Sequence, residues 1–139
     1  MIIENIHATA VAVQGRAVLL LGKSGSGKSD LALRLIMNKN AVLIADDRVE
    51  LRSVNGVLKA SCPENIKGLL EVRGLGICKF PFLQEADVLL AIQLVSDPYE
   101  IERMQEREKI TFAESEIPLI KIYPFEISAV DKIALACDQ

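Results

Sequence analysis

Cysteine is scarce: Cys62, Cys78 and Cys137 form no even disulfide framework and no C-x-x-C pair, a usage that fits a reducing cytoplasm. Long apolar runs are missing too. The longest, such as Ala17 to Leu21 and Val88 to Ile92, fall far short of the about 20 residues that cross a bilayer as a helix, so no contact with membrane is expected. The opening MIIENIHATA has no positively charged leader ahead of an apolar stretch, and no secretory signal is expected. Sixteen Lys and Arg against nineteen Asp and Glu give a net charge of −3 without any basic run, which argues against a nucleic-acid partner. Internal repeats, low-complexity tracts and linkers are absent, and His7 is the only histidine.

What is present is the composition of a globular domain. The chain has 139 residues, 50% apolar and 25% charged, so residues 1–139 read as one domain whose folding removes about two-thirds of its unfolded surface from water. Residues 8–13 and 16–21 read as strands around Gln14-Gly15, and the second runs directly into a glycine loop. Leu31, Ala32, Leu35 and Ile36 then set one apolar face on a helix from about Lys28 to Met37, ended by Asn38-Lys39-Asn40. The wholly apolar Ala41 to Ala45 reads as a strand buried on both faces of a parallel sheet, which completes a βαβ unit and terminates at Asp46-Asp47. A β-ribbon turning at Asn55-Gly56 follows. Strands are expected at Leu69 to Val72, Ala86 to Val95 and Pro118 to Tyr123, and the charged IERMQEREK between the last two reads as an exposed helix or mobile loop. Ile127, Val130, Ile133, Ala134 and Cys137 make a helical face, with Ser128 and Asp131 as a capping-box-like start. The fold class read from these elements is α/β, a mixed β-sheet flanked by helices around a candidate P-loop.

Gly22-Lys23-Ser24-Gly25-Ser26-Gly27-Lys28-Ser29 satisfies G-x-x-x-x-G-K-[ST] at every fixed position, between a strand and a helix. Glycines let successive N–H groups curl around phosphate oxygens, and the helix start directs its partial positive charge at the anion. Lys28 would bridge the β- and γ-phosphates of ATP, and Ser29 would ligate Mg²⁺. A plain Gly/Ser turn would match this pattern in about one in a few hundred chains of this size.

Asp46-Asp47 stands where doubly wound sheets place ligand chemistry, at the carboxyl end of a strand and the same sheet edge as the loop. One carboxylate would hold Mg²⁺ while its neighbour accepts a proton from an incoming hydroxyl. The bland alternative is a turn of ordinary acidic residues. A GTPase switch is excluded, because N-K-x-D and D-x-x-G are both missing, and a transporter-type ATPase needs far more chain. A small kinase and a nucleotide-dependent regulatory module remain.

Four segments, IHATAVAVQGRAVLLLGKSGSGKSDLAL, LIADDRVEL, LLEVRGLGI and the IERM stretch, occur in an order that resembles the catalytic, C-terminal domain of bacterial HPr kinase/phosphorylase. The likeness runs from about Glu4 to the end and is to a short form without the amino-terminal domain of longer members. It implies an ATP-dependent enzyme that phosphorylates a serine of HPr, the phosphocarrier of the sugar phosphotransferase system, and removes that phosphate by phosphorolysis. It also implies a cytoplasmic homo-oligomer, a hexamer by analogy, with ATP and Mg²⁺ as cofactors. Gly22 to Ser29 match the nucleotide loop. His7, Asp46 and Arg103 match a catalytic histidine, the base toward the serine hydroxyl and a phosphate-contacting arginine. Asp47 adjoins the metal region, and Glu71 matches a metal-associated carboxylate. Read without the resemblance, His7 is a packed or surface residue, Glu71 belongs to a strand's solvated face, and Arg103 is solvated charge. The sequence departs from the pattern in a short loop after Ile77 and at Tyr123-Pro124-Phe125-Glu126, where members carry a Gly-Arg-Asn stretch. An ATP-binding regulatory module without transfer and a small-molecule kinase are the rival readings.

Overall fold

Strict side-chain alternation, with both parities apolar, organises the centre of the molecule. In the computed structural model, which describes residues 2–138, an exposed strand β1 (Ile2–Ile6) leads into the hairpin of β2 (Thr9–Val13) and β3 (Arg16–Leu21). Gln14 and Gly15 both take left-handed φ angles, 53° and 81°, as a two-residue hairpin turn requires. Ala10, Ala12, Leu19 and Leu21 face one core, and Val11, Val13, Val18 and Leu20 face a second on the other side of the same strands.

The second core is roofed by helices. Helix α1 (Lys28–Lys39) contributes Leu31, Ala32 and Leu35, and closes on Asn40 in the left-handed region at φ 56°. Helix α2 (Ala129–Asp138) contributes Ile133 and Cys137, and a Lys39–Asp131 ion pair of 2.6 Å ties the two helices together. Neither α1 nor α2 supplies a buried residue to the first core: the sheet curls and packs on itself through Val49, Leu51, Leu58, Ala60, Ala91 and Ile117.

The remaining strands are β4 (Val42–Ala45), β5 (Val49–Val54), β6 (Val57–Ser61), β7 (Leu69–Val72), β8 (Gly76–Lys79), β9 (Glu85–Leu94), β10 (Glu108–Phe112) and β11 (Ser115–Ile122). Nine of the eleven strands among the described residues form one mixed sheet in the order β1-β5-β6-β9-β3-β2-β4, with β11 on β9 and β10 on β11; β7 and β8 make a separate hairpin. Strands β3, β9 and β11 are mutually parallel, and β4, antiparallel to β2 as β3 is, runs the same way. Four carboxyl ends thus share one edge. Because β2 is antiparallel to them, its start, at His7 and Thr9, lies at that edge too.

Three expectations are corrected. Ala41 to Ala45 is not a strand inside a parallel sheet: β4 pairs antiparallel with β2, which the tight hairpin has already placed beside β3. Its apolar run comes instead from burial between the two cores, Leu43 facing the helices and Ile44 the curled sheet. The charged stretch 101–109 forms neither a helix nor one loop, since Glu108 and Lys109 open β10 and pair with Leu119 and Pro118. Ile127 lies outside α2 and is 98% exposed rather than on its buried face. Strands β1, β8 and β10 had no counterpart in the sequence reading.

Candidate active site

The loop Gly22 to Ser29 joins the end of β3 to the start of α1. Gly27 caps the helix at φ 101°, open to glycine at little cost. At Gly22 the constraint is space, because a Cβ there would lie 2.4 Å from Ser26 Oγ. That hydroxyl is buried and has no hydrogen-bond partner among the described residues. Lys28 is 9% exposed, and its Nζ donates to the carbonyls of Gly22 at 2.7 Å and Lys23 at 2.9 Å. The ammonium is thereby held inside the curve of the loop. Lys23, Ser24 and Gly25 form the exposed rim.

Asp46, the first residue after β4, is the hub of the site. Ser29 Oγ donates to its Oδ1 at 2.7 Å, Thr9 Oγ1 donates to the same oxygen at 2.9 Å, and the Glu71 N–H donates to Oδ2 at 3.4 Å. The loop, β2, β4 and the β7–β8 hairpin therefore meet at one carboxylate. Thr9 was missed by sequence reasoning. Its signal is a single hydroxyl in the otherwise apolar run 8–13, and it is fully buried.

The other candidates are placed as follows. Asp47, in the left-handed region at φ 71°, accepts from or pairs with His7 Nδ1 at 3.2 Å, both side chains being exposed. The imidazole thus meets Asp47, not Asp46. Glu71 reaches the cluster through its main chain, with its side chain exposed. Arg103 is not brought to this cluster by any contact. It lines a cavity of about 300 Å³ with Ile101, Gln105, Lys121 and Glu126, and makes no hydrogen bond or ion pair among the described residues.

Ser29 bonds Asp46 and Asp47 adjoins it in sequence, both hard oxygen donors, whereas only the main chain of Glu71 touches the cluster, and among the described residues no three His, Cys, Asp or Glu side chains close a metal cage. That chemistry fits Mg²⁺, which is held by few protein oxygens and completed by phosphate and water.

The thiols stand apart from this chemistry. Burial raises the Cys62 thiol above its ordinary range, opposed by Lys67 and reinforced by Asp46 and Glu64. Burial raises Cys137 as well, opposed by Arg16 and reinforced by Asp138. Iodoacetamide at neutral pH is therefore expected to modify the partly exposed Cys78 first, and Cys62 and Cys137 only on unfolding. Intact mass counts the adducts, and three rapid additions to the native protein would contradict this. Raised thiols also mean that the unfolded chain ionises first, so stability falls as pH climbs through the alkaline range.

Comparison with known proteins gives one consistent result. The family model of the HPr Serine kinase C-terminal domain matches residues 2–130. The HPr kinase/phosphorylase of Caldanaerobacter subterraneus subsp. tengcongensis is 38% identical over 129 residues, 85% of this chain and 42% of its own. That of Bacillus pumilus is 36% identical over 128 residues, 84% of this chain and 41% of its own. The chain thus spans less than half the length of these relatives. The solved structure of the Hpr(Ser) kinase/phosphatase from Coxiella burnetii superposes with a TM-score of 0.82 at 24% identity, covering 96% of this chain and 94% of that one, and so shares the fold.

Proposed function

The chain belongs to the family of HPr serine kinase C-terminal domains, and from that premise we propose that it transfers the γ-phosphoryl group of ATP to a serine hydroxyl of an HPr-type phosphocarrier, and that it also runs the phosphorolytic reverse. The observation that carries this is the 2.7 Å bond between Ser29, at the helix end of the glycine loop, and Asp46, at the end of the neighbouring parallel-running strand. It puts the glycine loop and a carboxylate side by side, which supports reading them as phosphate cradle and proton acceptor.

Gly22 to Ser29 hold the triphosphate with loop N–H groups, and Lys28 exchanges its two loop carbonyls for phosphate oxygens. Ser29, Asp47 and Glu71 would hold Mg²⁺, which when bound offsets the phosphate charge. Asp46 Oδ2 has only the 3.4 Å Glu71 N–H as partner among the described residues, so it is the oxygen open to the substrate. As the serine oxygen bonds to phosphorus and the bond to ADP breaks, the hydroxyl proton passes to Asp46. In the phosphorolytic direction an oxygen of inorganic phosphate bonds to the phosphoserine phosphorus as the bond to the serine oxygen breaks, the proton of the attacking phosphate passes through Asp46 to that serine oxygen, and pyrophosphate is the product. Thr9 and Ser29 fix the carboxylate by bonding its other oxygen. His7 orients Asp47 beside it.

The same reading carries assembly into a homo-oligomer. Arg103 and the 90% exposed Met104 lie on the segment a neighbouring copy would meet, where Arg103 would contact phosphate in that copy's site.

The test is direct. With Mg-ATP and purified HPr, intact mass should show one phosphate added to HPr, at serine. ATP bound without any transfer to HPr would leave a regulatory module, and transfer only to small alcohols would leave a small-molecule kinase.

A further inference from the structure

The parallel-running strands fix the order of the loops along the active edge. Because β2 separates β4 from β3, and β9 and β11 follow on the other side, that order is the Asp46 turn, the glycine loop, the connection after β9 and the connection after β11. Transfer chemistry at Asp46 occupies one flank of the glycine loop. A nucleotide whose terminal phosphate points there must carry its nucleoside toward the opposite flank, over the residues that follow β9 and β11.

On that flank stands Phe125. A Cβ built on Gly27 would lie 3.4 Å from both Cε1 and Cζ of its ring and 3.7 Å from Pro124 Cβ. The ring therefore rests against the last glycine of the loop, one residue before Lys28, yet it is 61% exposed. Its position is braced from two sides. Tyr123 meets it edge to face, with centroids 5.7 Å apart and planes at 80°. Arg34 of α1 donates Nη2–H to the Pro124 carbonyl at 2.5 Å and is itself bonded through Nε to Asp30 at 3.2 Å. The helix that starts at the loop thus also holds the turn carrying the ring. Ile127, 98% exposed two residues further on, adds apolar surface to the same turn.

We propose that Phe125 is the platform on which the purine base of the bound nucleotide stacks. The inference rests on the nucleotide-binding reading of the glycine loop given above. An aromatic ring that is pre-positioned beside a phosphate loop and more than half exposed offers the base a π-face with little ordering cost. Such stacking is tolerant of base identity, so the platform supplies affinity for nucleosides and little discrimination among them.

The experiment titrates wild-type protein and the Phe125→Ala variant with MgATP and with magnesium tripolyphosphate by calorimetry. Phe125→Ala is expected to bind MgATP about tenfold more weakly and tripolyphosphate as well as wild type does, raising KM for ATP with kcat little changed. Phe125→Trp should restore ATP binding. Because the sequence has no other tryptophan, that indole's fluorescence should respond to ATP and not to tripolyphosphate. Equal weakening of both ligands in Phe125→Ala would show that the ring only shapes Gly27, and unchanged ATP affinity would place the base elsewhere; either overturns the platform while leaving the nucleotide reading intact. Wild-type protein that binds neither ligand would remove the nucleotide reading itself, and the platform with it.

Discussion

Replacing Asp46 by asparagine is expected to lower phosphoryl transfer to HPr by about 10²- to 10⁴-fold, the range in which general-base assistance falls, with MgATP affinity retained. The substitution keeps shape and one acceptor oxygen, so Thr9 and Ser29 retain the partner they now have at 2.9 and 2.7 Å. What changes is the second position, where an amide that cannot take a proton replaces the oxygen facing the Glu71 N–H. Two donors then meet, and the β7–β8 hairpin should loosen at that contact. A modest fall in melting temperature is therefore part of the expected result and must be measured beside the activity. Transfer followed by intact mass of HPr, with binding followed by calorimetry, separates the two effects. A loss below tenfold with intact binding would mean that the carboxylate merely ties loop, strand and hairpin together.

Local signals made half of this structure legible. The hairpin at Gln14-Gly15, the glycine loop, α1 and the Asn55-Gly56 turn, with φ angles of 52° and 80°, are each written in consecutive residues whose conformational preferences agree with their surroundings. The β10–β11 hairpin is not written that way. Its turn is Ala113-Glu114, both left-handed at φ 48° and 65°, and neither residue favours that region. Tertiary structure holds it instead: Ala113 is buried and its N–H donates to Glu4 Oε1 at 2.8 Å, from a strand at the other end of the chain. The strand leading into it is equally opaque, because Glu108 and Lys109 read as solvated charge until Lys109 pairs with Glu116 across the hairpin. In the site, the glycine loop and Asp46 were legible because a strand end points to a sheet edge. Thr9 and the His7–Asp47 pair were not, since only the antiparallel course of β2 returns the start of that strand to the same edge. Arg103 shows the limit from the other side. A residue type and an order of segments name it, and within one chain it lines a cavity with Gln105 and Lys121 instead of touching the Asp46 cluster.

Lys28→Ala is expected to produce the complementary defect, loss of nucleotide binding with the fold preserved. The ammonium is 9% exposed and already bonded to two carbonyls of its own loop, so its position under the phosphates is set before the ligand arrives. Truncation frees the carbonyls of Gly22 and Lys23. Lys23 is exposed and Gly22 half-buried, so water reaches both and the cost to folding stays small. The ligand loses more. Hydrogen bonds to charged groups contribute about 1.5–3 kcal/mol each, and with two phosphates bridged the affinity for MgATP should fall by about 10²-fold or more. Arginine should not rescue it, because a planar guanidinium is bulkier than the compact ammonium it would replace and the loop has no slack where Gly22 abuts Ser26. Calorimetry with MgATP checks the affinity, and an unchanged circular dichroism spectrum checks the fold. Since Asp46→Asn is expected to bind and not react, a Lys28→Ala protein that binds MgATP within about tenfold of wild type, less than one such charged bond supplies, would take the lysine out of the nucleotide site while leaving the aspartate's role to be judged on its own result.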